Sequence, residues 1–280
     1  MNQLEIGNQI ITYREKGNGD PVVFLHCSAS TGGQWKAYFK NLGGRHRVIA
    51  PNLVGYDGTS NWQLARPMTI ADEASNIVAL ITKLGHRVHL VGHSYGGAVA
   101  LWLAQKHANL LRSLTLIEPV AFNTLNPTDR TEREALVEIM TVADDIRRAV
   151  GKGNGRSAAR RFVDYWSTPG SFEGLDPKQQ DKLAADMGKV NREFAAIFNE
   201  PSELEPYRAI EVPTLILCGT LSPKPVRHIS RQLTDTLAVC RHRTVANAGH
   251  MLALTHVDQV TDHLFRHIGC SENETARMAA

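Results

Sequence analysis

The chain has 280 residues, of which 42% are hydrophobic, and a formal net charge of +3 at pH 7. This length can bury one large core together with an inserted subdomain. The basic residues are scattered, so no nucleic-acid-binding stripe or polybasic membrane patch is indicated, and no apolar run approaches the roughly 18 residues needed to cross a bilayer. The four cysteines lack metal-ligand spacing, and the N-terminal stretch MNQLEIGNQIITY lacks the pattern of a signal peptide. We therefore expect a cytoplasmic protein with reduced thiols.

Short apolar runs alternate with helix-like segments along most of the chain. A predicted antiparallel hairpin comes first, with strands Leu4–Ile6 and Gln9–Glu15 joined by Gly7-Asn8. Runs typical of buried strands follow at Val22–His26, Arg47–Ala50, Val88–Val91, Leu114–Ile117, Thr214–Cys218 and Arg241–Val245. Helical periodicity between most of them occurs at Gly33–Leu42, Ile70–Leu84, Tyr95–His107, Val226–Leu237 and Val257–Ile268. This alternation predicts an α/β fold with a mostly parallel sheet and helices on both faces.

One long segment, residues 119–208, departs from this alternation. It shows helical periods separated by glycine and proline, and no strand pattern. The predicted helices are Thr131–Val150, Ser157–Trp166, Lys178–Met187 and Arg192–Asn199. A structureless loop of this length is uncommon in a compact domain. We therefore predict a helical cap at residues 119–208, inserted into a core of residues 1–118 and 209–269, with a flexible tail at residues 270–280.

The stretch Gly92-His93-Ser94-Tyr95-Gly96 carries the clearest chemical signal in the sequence. It fits the G-x-S-x-G pattern and lies where a predicted strand passes into a predicted helix, which is the context that this motif requires. Such a sharp turn forces the serine into a strained backbone conformation, and only small neighbours leave room for the chain. Ser94 is therefore the candidate nucleophile, at the positive end of the following helix.

This turn, His26 at the end of the third strand, the helical insertion and the late sequence Ala-Gly-His-Met together resemble the α/β-hydrolase superfamily over essentially the whole chain. The more specific resemblance is to the epoxide hydrolase and haloalkane dehalogenase branch, with serine as the nucleophile instead of aspartate. The resemblance implies hydrolysis of a small acyl compound. It also implies His250, in the loop after the last strand, as the general base, because the superfamily order is nucleophile, acid, base.

An oxyanion hole requires two backbone N–H groups directed at the developing negative charge. The amide of Tyr95, the residue after the nucleophile, is the first expected donor. The second is expected in the loop His26-Cys27-Ser28-Ala29-Ser30, where the superfamily usually has glycine after the histidine and this chain has Cys27. We assign the second donor to the Ser28 amide, with the Cys27 amide as the alternative.

The acid of the triad is missing from its usual place. Most relatives carry an aspartate after the strand that follows the cap, in a G-x-x-D pattern, but this chain has Gly219-Thr220-Leu221-Ser222 there and no Asp or Glu between residues 212 and 234. Glu118 ends the strand before the cap, at the sheet edge where active sites form. Some haloalkane dehalogenases and the related coelenterazine luciferases carry a glutamate acid at the end of this same strand. The predicted triad is therefore Ser94, Glu118 and His250, and Ser222 is expected to contribute little.

Aromatic side chains are the candidates for lining a substrate pocket under the cap. They are Trp35, Tyr165, Trp166, Phe194 and Phe198. Phe194 and Phe198 lie four residues apart on one helix face and could equally pack the cap onto the core. No dinucleotide-binding, Walker or metal-binding motif occurs, so we expect no cofactor and no metal.

These residues predict a serine hydrolase that cleaves a small ester, thioester or lactone through an acyl-enzyme. Its expected partner is a small-molecule substrate, with no nucleic acid or membrane, and its expected state is a monomer or homodimer. Two alternatives stay open: a C–C bond hydrolase of diketone-like substrates with the same triad, and a small-ligand binding protein of the same fold with slow or no turnover. Dehalogenation is not expected, because it requires a carboxylate nucleophile.

Overall fold

The structure is a computed structural model that describes residues 1–278, with side chains described as far as residue 271. Its centre is an eight-stranded sheet with the order β1-β2-β4-β3-β5-β6-β7-β8. The strands are β1 Asn2–Ile6, β2 Gln9–Lys16, β3 Pro21–Leu25, β4 Arg47–Pro51, β5 Val88–His93, β6 Leu111–Ile117, β7 Thr214–Gly219 and β8 Cys240–Val245. The pairs β1–β2 and β2–β4 are antiparallel and the other neighbours are parallel. The predicted mostly parallel sheet with an antiparallel hairpin at its edge is confirmed.

Helices cover both faces of this sheet. They are α1 Lys36–Leu42, α2 Ile70–Leu84, α3 Tyr95–Lys106, α4 Arg130–Gly151, α5 Gly155–Trp166, α6 Pro177–Phe198, α7 Lys224–Thr236, α8 Leu252–Thr255 and α9 Val257–Met278. Their ends follow local sequence: Thr69 and Asp72 form a capping box at the start of α2, and Asp176 caps α6. None of the helices in the described part of the chain has the length and apolar character needed to cross a membrane.

The core consists of two apolar layers, one on each face of the sheet. Along β3 the side chains alternate, so that Val23 and Leu25 join the layer under α2 and α3, while Val22 and Phe24 join the layer under α1 and α9. This alternation follows from the pleat of a strand, and burial on both faces explains the continuous apolar runs of the sequence. The carboxyl ends of the parallel strands are left at one edge.

Between the end of β6 and the start of β7, the described chain forms helices and turns only. Helices α4, α5 and α6 belong to this insertion, and short 3₁₀ turns at Phe122–Thr124 and Glu205–Ala209 connect it to the sheet. The insertion packs its apolar residues against the same layer as α2 and α3. It therefore lies over the edge at which the parallel strands end.

Two predicted details are wrong. Lys178–Met187 and Arg192–Asn199 were expected as separate helices, but α6 runs without a break from Pro177 to Phe198. Gly188 lowers helix propensity by only about 1 kcal/mol, and the burial of its neighbours Lys189 and Val190 outweighs this cost. The predicted tail at residues 270–280 is helical as far as Met278, whereas residues 279–280 lie outside the described residues.

Candidate active site

The turn between β5 and α3 holds Ser94 in an unusual backbone conformation, with φ +55° and ψ −117°. The turn has no space for side chains at its glycines: a Cβ on Gly92 would lie 2.3 Å from the Gly96 carbonyl oxygen, and one on Gly96 would lie 2.5 Å from the Leu25 carbonyl oxygen. Strain of this kind costs about 1–3 kcal/mol and persists only where the surrounding structure enforces it. Here the Ser94 amide donates to the Ile117 carbonyl at 2.9 Å, which ties the turn to β6.

Three residues predicted from the sequence lie in one chain of hydrogen bonds. The Ser94 hydroxyl is 2.9 Å from Nε2 of His250, and Nδ1 of His250 is 3.1 Å from Oε2 of Glu118. All three side chains are buried. The Nδ1 nitrogen therefore carries a proton toward the carboxylate, and Nε2 is free to accept the serine proton.

Glu118 is held by more than His250. Its backbone has φ +52°, and its amide donates to the Leu217 carbonyl at 2.9 Å. Its second oxygen, Oε1, accepts hydrogen bonds from the Gly219 amide at 2.6 Å and from the Ser222 hydroxyl at 2.7 Å. Both carboxylate oxygens are thus occupied, which fixes the orientation of the group.

Ser222, which was expected to contribute little to activity, contacts the predicted acid. It stands where an aspartate was expected, is only 3% exposed, and donates its hydroxyl to Glu118. The sequence predicts the position of this residue but not its bond, since 104 residues separate the two partners. At the position where most relatives carry the aspartate of the triad, this chain therefore has a neutral hydroxyl that donates a hydrogen bond to Glu118.

His250 is also fixed from its other side. Nε2 of His93 lies 2.9 Å from the His250 carbonyl, and Nδ1 of His93 lies 3.0 Å from the side-chain amide of Gln34. Burial lowers the pKa of His93 to about 3, so this ring is neutral and connects the His250 carbonyl to the side chain of Gln34. The ring of Trp166 lies over the His250 ring with 4.0 Å between centroids.

The loop after β3 contains the expected second donor of the oxyanion hole. The Cys27 amide donates to Oε1 of Gln34 at 3.1 Å, and the Ala29 amide donates to the Tyr56 hydroxyl at 2.9 Å. Among the described residues, the Ser28 amide between them makes no hydrogen bond. The alternative donor, Cys27, is therefore already committed, which favours Ser28 as partner of the Tyr95 amide at the start of α3.

His26 braces this loop from below. Its Nδ1 lies 2.7 Å from the Cys27 carbonyl, and its Nε2 accepts from the Leu53 amide at 3.0 Å. Burial lowers the pKa of His26 to about 3, so the ring stays neutral. Burial also raises the pKa of the Cys27 thiol to about 12, which makes it an inert neighbour of the serine.

Two cavities meet at Ser94. The outer cavity, of about 220 Å³, is lined on the core side by residues 27–30, Ser94 and His250, and on the cap side by α5 and α6 side chains that include Trp166 and Leu183. The inner cavity, of about 10 Å³, is lined by Ser28, Ser94, Val120, Phe122, Phe162, Trp166, Glu193, Phe194 and Ile197. A larger depression of about 560 Å³ lies at the edge hairpin, far from these groups, and contains no candidate nucleophile.

Of the five aromatic residues predicted to line the pocket, two line the cavities beside Ser94 and three do not. Trp166 lines both cavities, and Phe194 lines the inner one. Trp35 is wrong as a pocket residue: it is fully buried in the opposite layer, where its ring contacts Phe24 and Tyr38. Tyr165 turns away and donates its hydroxyl to Glu138 at 2.8 Å, and Phe198 stacks on Phe122 and lines a groove outside the cap.

Several lining residues were not predicted, notably Phe122, Phe162 and Glu193. Phe122 follows Pro119 just inside the insertion, and a pattern search could have flagged it as an apolar residue close to Glu118. Glu193 has no such signal, because in the sequence it is one charged residue in a helix rich in charges.

The parallel sheet, the strained serine turn and the helical insertion define the α/β-hydrolase class. A family model described as "Alpha/beta hydrolase family" matches residues 22–263, and the chain belongs to that family. The predicted superfamily is thus confirmed.

Two curated relatives match less than half of the chain. One is a 2-hydroxy-6-oxo-6-phenylhexa-2,4-dienoate hydrolase of Comamonas testosteroni, 29% identical over 42% of this chain and 43% of that protein. Another is a haloalkane dehalogenase of Agrobacterium fabrum, 33% identical over 46% of this chain and 43% of that protein. The matched part thus spans less than half the length of these relatives. The enol-lactonase of Burkholderia xenovorans LB400 has the same fold, with a TM-score of 0.77 and 18% identity over 96% of this chain and 100% of that one.

Proposed function

We propose that the protein is a serine hydrolase that cleaves a small carboxylic ester, thioester or lactone through an acyl-enzyme, without a cofactor. The observation that supports this most is the unbroken path from the Ser94 hydroxyl through both nitrogens of His250 to Glu118, with distances of 2.9 and 3.1 Å. The groups lie beside a cavity and at the carboxyl ends of parallel strands, where ligands bind in sheets of this kind.

The chemistry follows from this arrangement. Ser94 attacks the carbonyl carbon while Nε2 of His250 takes its proton, and the carbonyl electron pair moves to the oxygen. The Ser28 and Tyr95 amides stabilise that oxyanion, and Glu118 stabilises the imidazolium. When the intermediate collapses, His250 returns the proton to the leaving group. Water activated by the same histidine then attacks the acyl-enzyme and regenerates Ser94.

The shape of the outer cavity supports a small, largely apolar substrate. Leu175, Leu183 and Phe162 line it, and Leu254 at its rim is 46% exposed. A cavity of about 220 Å³ falls below the usual size of drug-binding pockets, roughly 300–1,000 Å³.

The test combines labelling with turnover. The wild-type protein should react covalently with a fluorophosphonate and hydrolyse short chromogenic esters, and the Ser94→Ala variant should lose both while keeping its circular dichroism spectrum. Loss of the nucleophile should lower kcat by about 10⁶-fold, and His250→Ala should give a loss of similar size. Labelling that persists in Ser94→Ala would overturn the assignment of the nucleophile.

One relative favours a second candidate function. The substrate in the name of the Comamonas testosteroni hydrolase is a ketone without an ester, so its hydrolysis breaks a C–C bond. The same triad would serve that reaction here. A screen that includes vinylogous diketones beside esters separates the two candidates. A protein that binds these compounds and shows neither turnover nor labelling would instead be a ligand-binding member of the fold.

A further inference from the structure

We propose that Glu193 is a specificity-determining residue that accepts a hydrogen bond from a hydroxyl group on the acyl part of the substrate. The inference rests on the proposed serine hydrolase function and adds the substrate class: esters or thioesters of short hydroxy acids. It starts from a buried glutamate that lines the inner cavity beside the nucleophile.

Glu193 lies on α6 and is only 1% exposed. Its Oε1 accepts from the Tyr56 hydroxyl at 3.0 Å and lies 3.2 Å from Nζ of Lys189. Its Oε2 is buried and makes no hydrogen bond with any described residue. Burial raises the pKa of Glu193, although Lys189 and hydrogen bonds from the Ser28 and Tyr56 hydroxyls act in the opposite direction. A buried acceptor of this kind is costly to leave unpaired, and so it marks a place where a ligand can supply the missing donor.

A second buried glutamate, Glu73, contacts the same lysine, Lys189, but has no unpaired oxygen. Glu73 accepts from the Val54 amide at 2.6 Å, from Nζ of Lys189 at 2.6 Å and from the Tyr95 hydroxyl at 3.3 Å. Both of its oxygens are occupied, and it does not line either cavity. Although burial alone would lower the pKa of Lys189, the two carboxylates raise it, so the lysine is an ammonium shared between them. Of these two glutamates, Glu193 is the one that lines the inner cavity and keeps an unpaired oxygen.

The exposure of the lining residues indicates which part of the substrate reaches Glu193. The outer cavity reaches the exposed Leu254, whereas the inner cavity is lined by buried side chains such as Phe122, Phe194 and Ile197, each no more than 6% exposed. During turnover the leaving group must depart and water must enter, while the acyl group stays bound to Ser94. The leaving group therefore belongs in the outer cavity and the acyl group against the inner one.

The size and polarity of the inner cavity favour a hydroxyl group over an ammonium group. Its volume of about 10 Å³ is close to the minimum that holds one water molecule, and therefore one hydroxyl oxygen. A hydroxyl needs one acceptor for its proton, and Oε2 of Glu193 provides it. An ammonium carries three donors, and apart from Glu193 and the two serines the walls are apolar. It would leave donors unpaired.

The experiment uses matched ethyl thioesters of butanoate, 2-hydroxybutanoate, 3-hydroxybutanoate and 3-aminobutanoate, with thiol release as the readout. The measured quantity is the ratio of kcat/KM for each hydroxy thioester to kcat/KM for the butanoyl thioester. For the wild-type protein we expect a ratio of about 10 to 100 for at least one hydroxyl position, since leaving a buried acceptor unpaired costs about 1–3 kcal/mol. The Glu193→Leu variant should bring this ratio below one while it still hydrolyses the butanoyl thioester.

The control variant is Glu73→Gln, which removes a carboxylate from the same network but not from the cavity. It should leave the ratio unchanged. The wild-type ratios alone can overturn the inference if Glu193→Leu does not fold: values near one at both hydroxyl positions, or a preference for the amino thioester, would do so. Hydrolysis of the butanoyl thioester without hydroxyl preference refutes this inference and leaves the proposed function standing. Absence of both turnover and fluorophosphonate labelling refutes the two together.

Discussion

The core side and the cap side of the cavity each contribute one buried glutamate, and the two differ in how their oxygens are used. Glu118, at the end of β6, has both oxygens occupied, by His250 on one side and by Gly219 and Ser222 on the other. Glu193, on α6, lines the inner cavity and has one oxygen occupied and one buried without a hydrogen-bond partner. A fully bonded carboxylate can orient and stabilise a neighbour, whereas a partly bonded one can still take a ligand.

The comparison extends from these residues to the regions that carry them. On the core side, the nucleophile, the acid and the base follow strands whose positions are fixed by sheet hydrogen bonds. On the cap side, the cavity is lined by side chains of helices. We therefore expect changes on the core side to lower the rate with every substrate, and changes on the cap side to alter which substrates are preferred.

The largest effect among the tests of this comparison is expected from Glu118→Gln. The amide removes the negative charge that stabilises the imidazolium and can present a donor to Nδ1 of His250, which favours the wrong tautomer. We expect kcat to fall by about 10⁴-fold for every ester, as in a triad whose aspartate becomes asparagine. Steady-state kinetics across pH 5–9, with circular dichroism for folding, measures this.

A second substitution sharpens the same test, because Ser222 touches the carboxylate from the position where many relatives have their acid. Placing aspartate there, as Ser222→Asp in the Glu118→Gln background, should recover part of the lost rate. Near-normal turnover of Glu118→Gln across the pH range would instead show that the acid lies elsewhere or that the enzyme works with a serine–histidine dyad.

A smaller effect is expected from Ser222→Ala alone. The substitution removes one of the two hydrogen bonds to Oε1 of Glu118 and leaves the Gly219 amide in place. A hydrogen bond to a charged group predicts a loss in kcat of about tenfold. Because Glu118 acts through His250 and not on the substrate, KM should stay unchanged. Ser222→Thr keeps a hydroxyl group and should retain most of the rate; equal losses in both variants would contradict the positioning role.

The smallest effect is expected on the cap side, from Leu183→Ala. Leu183 lines the outer cavity and touches none of the three triad residues through a hydrogen bond or ring contact. Its truncation should raise kcat/KM for esters with bulky leaving groups by about tenfold or less, which is about 1.4 kcal/mol or less and lies at the low end of the 1–3 kcal/mol that one methylene is worth in a pocket. The measurement is a series of esters with leaving groups of increasing size.

Tyr165→Phe is the matched control for that cap substitution. Tyr165 lies on the cap but outside both cavities, and its hydroxyl bonds to Glu138. The variant should keep the wild-type substrate profile and lose about 0.5–1.5 kcal/mol of unfolding free energy, measured by denaturant titration. A shift in the substrate profile as large as that of Leu183→Ala would show that cap substitutions act by weakening the packing of the cap and not by changing the wall of the cavity.

Much of the architecture could be read from local sequence. Buried strands of a parallel sheet are continuous apolar runs, and the helix α2 was predicted from Ile70 to Leu84 with the bounds that the structure has. The serine turn was also a local matter, because glycines at residues 92 and 96 are required by contacts within a few residues and with the adjacent strand. Ser94, Glu118 and His250 each follow a strand of predictable position, and the resemblance to the α/β-hydrolase superfamily supported the choice of Glu118 and His250.

Tertiary structure alone decided which of the remaining polar and aromatic residues face the site. Trp35 and Trp166 are both tryptophans, and the sequence offers no sign that distinguishes their positions. Trp35 lies in the core layer on the opposite face of the sheet, whereas Trp166 lies over the ring of His250. The Ser222–Glu118 bond and the unpaired oxygen of Glu193 depend on strands and helices that are distant along the chain. Local periodicity determines which side of its own helix or strand a residue occupies, but it carries no information on what packs against that side.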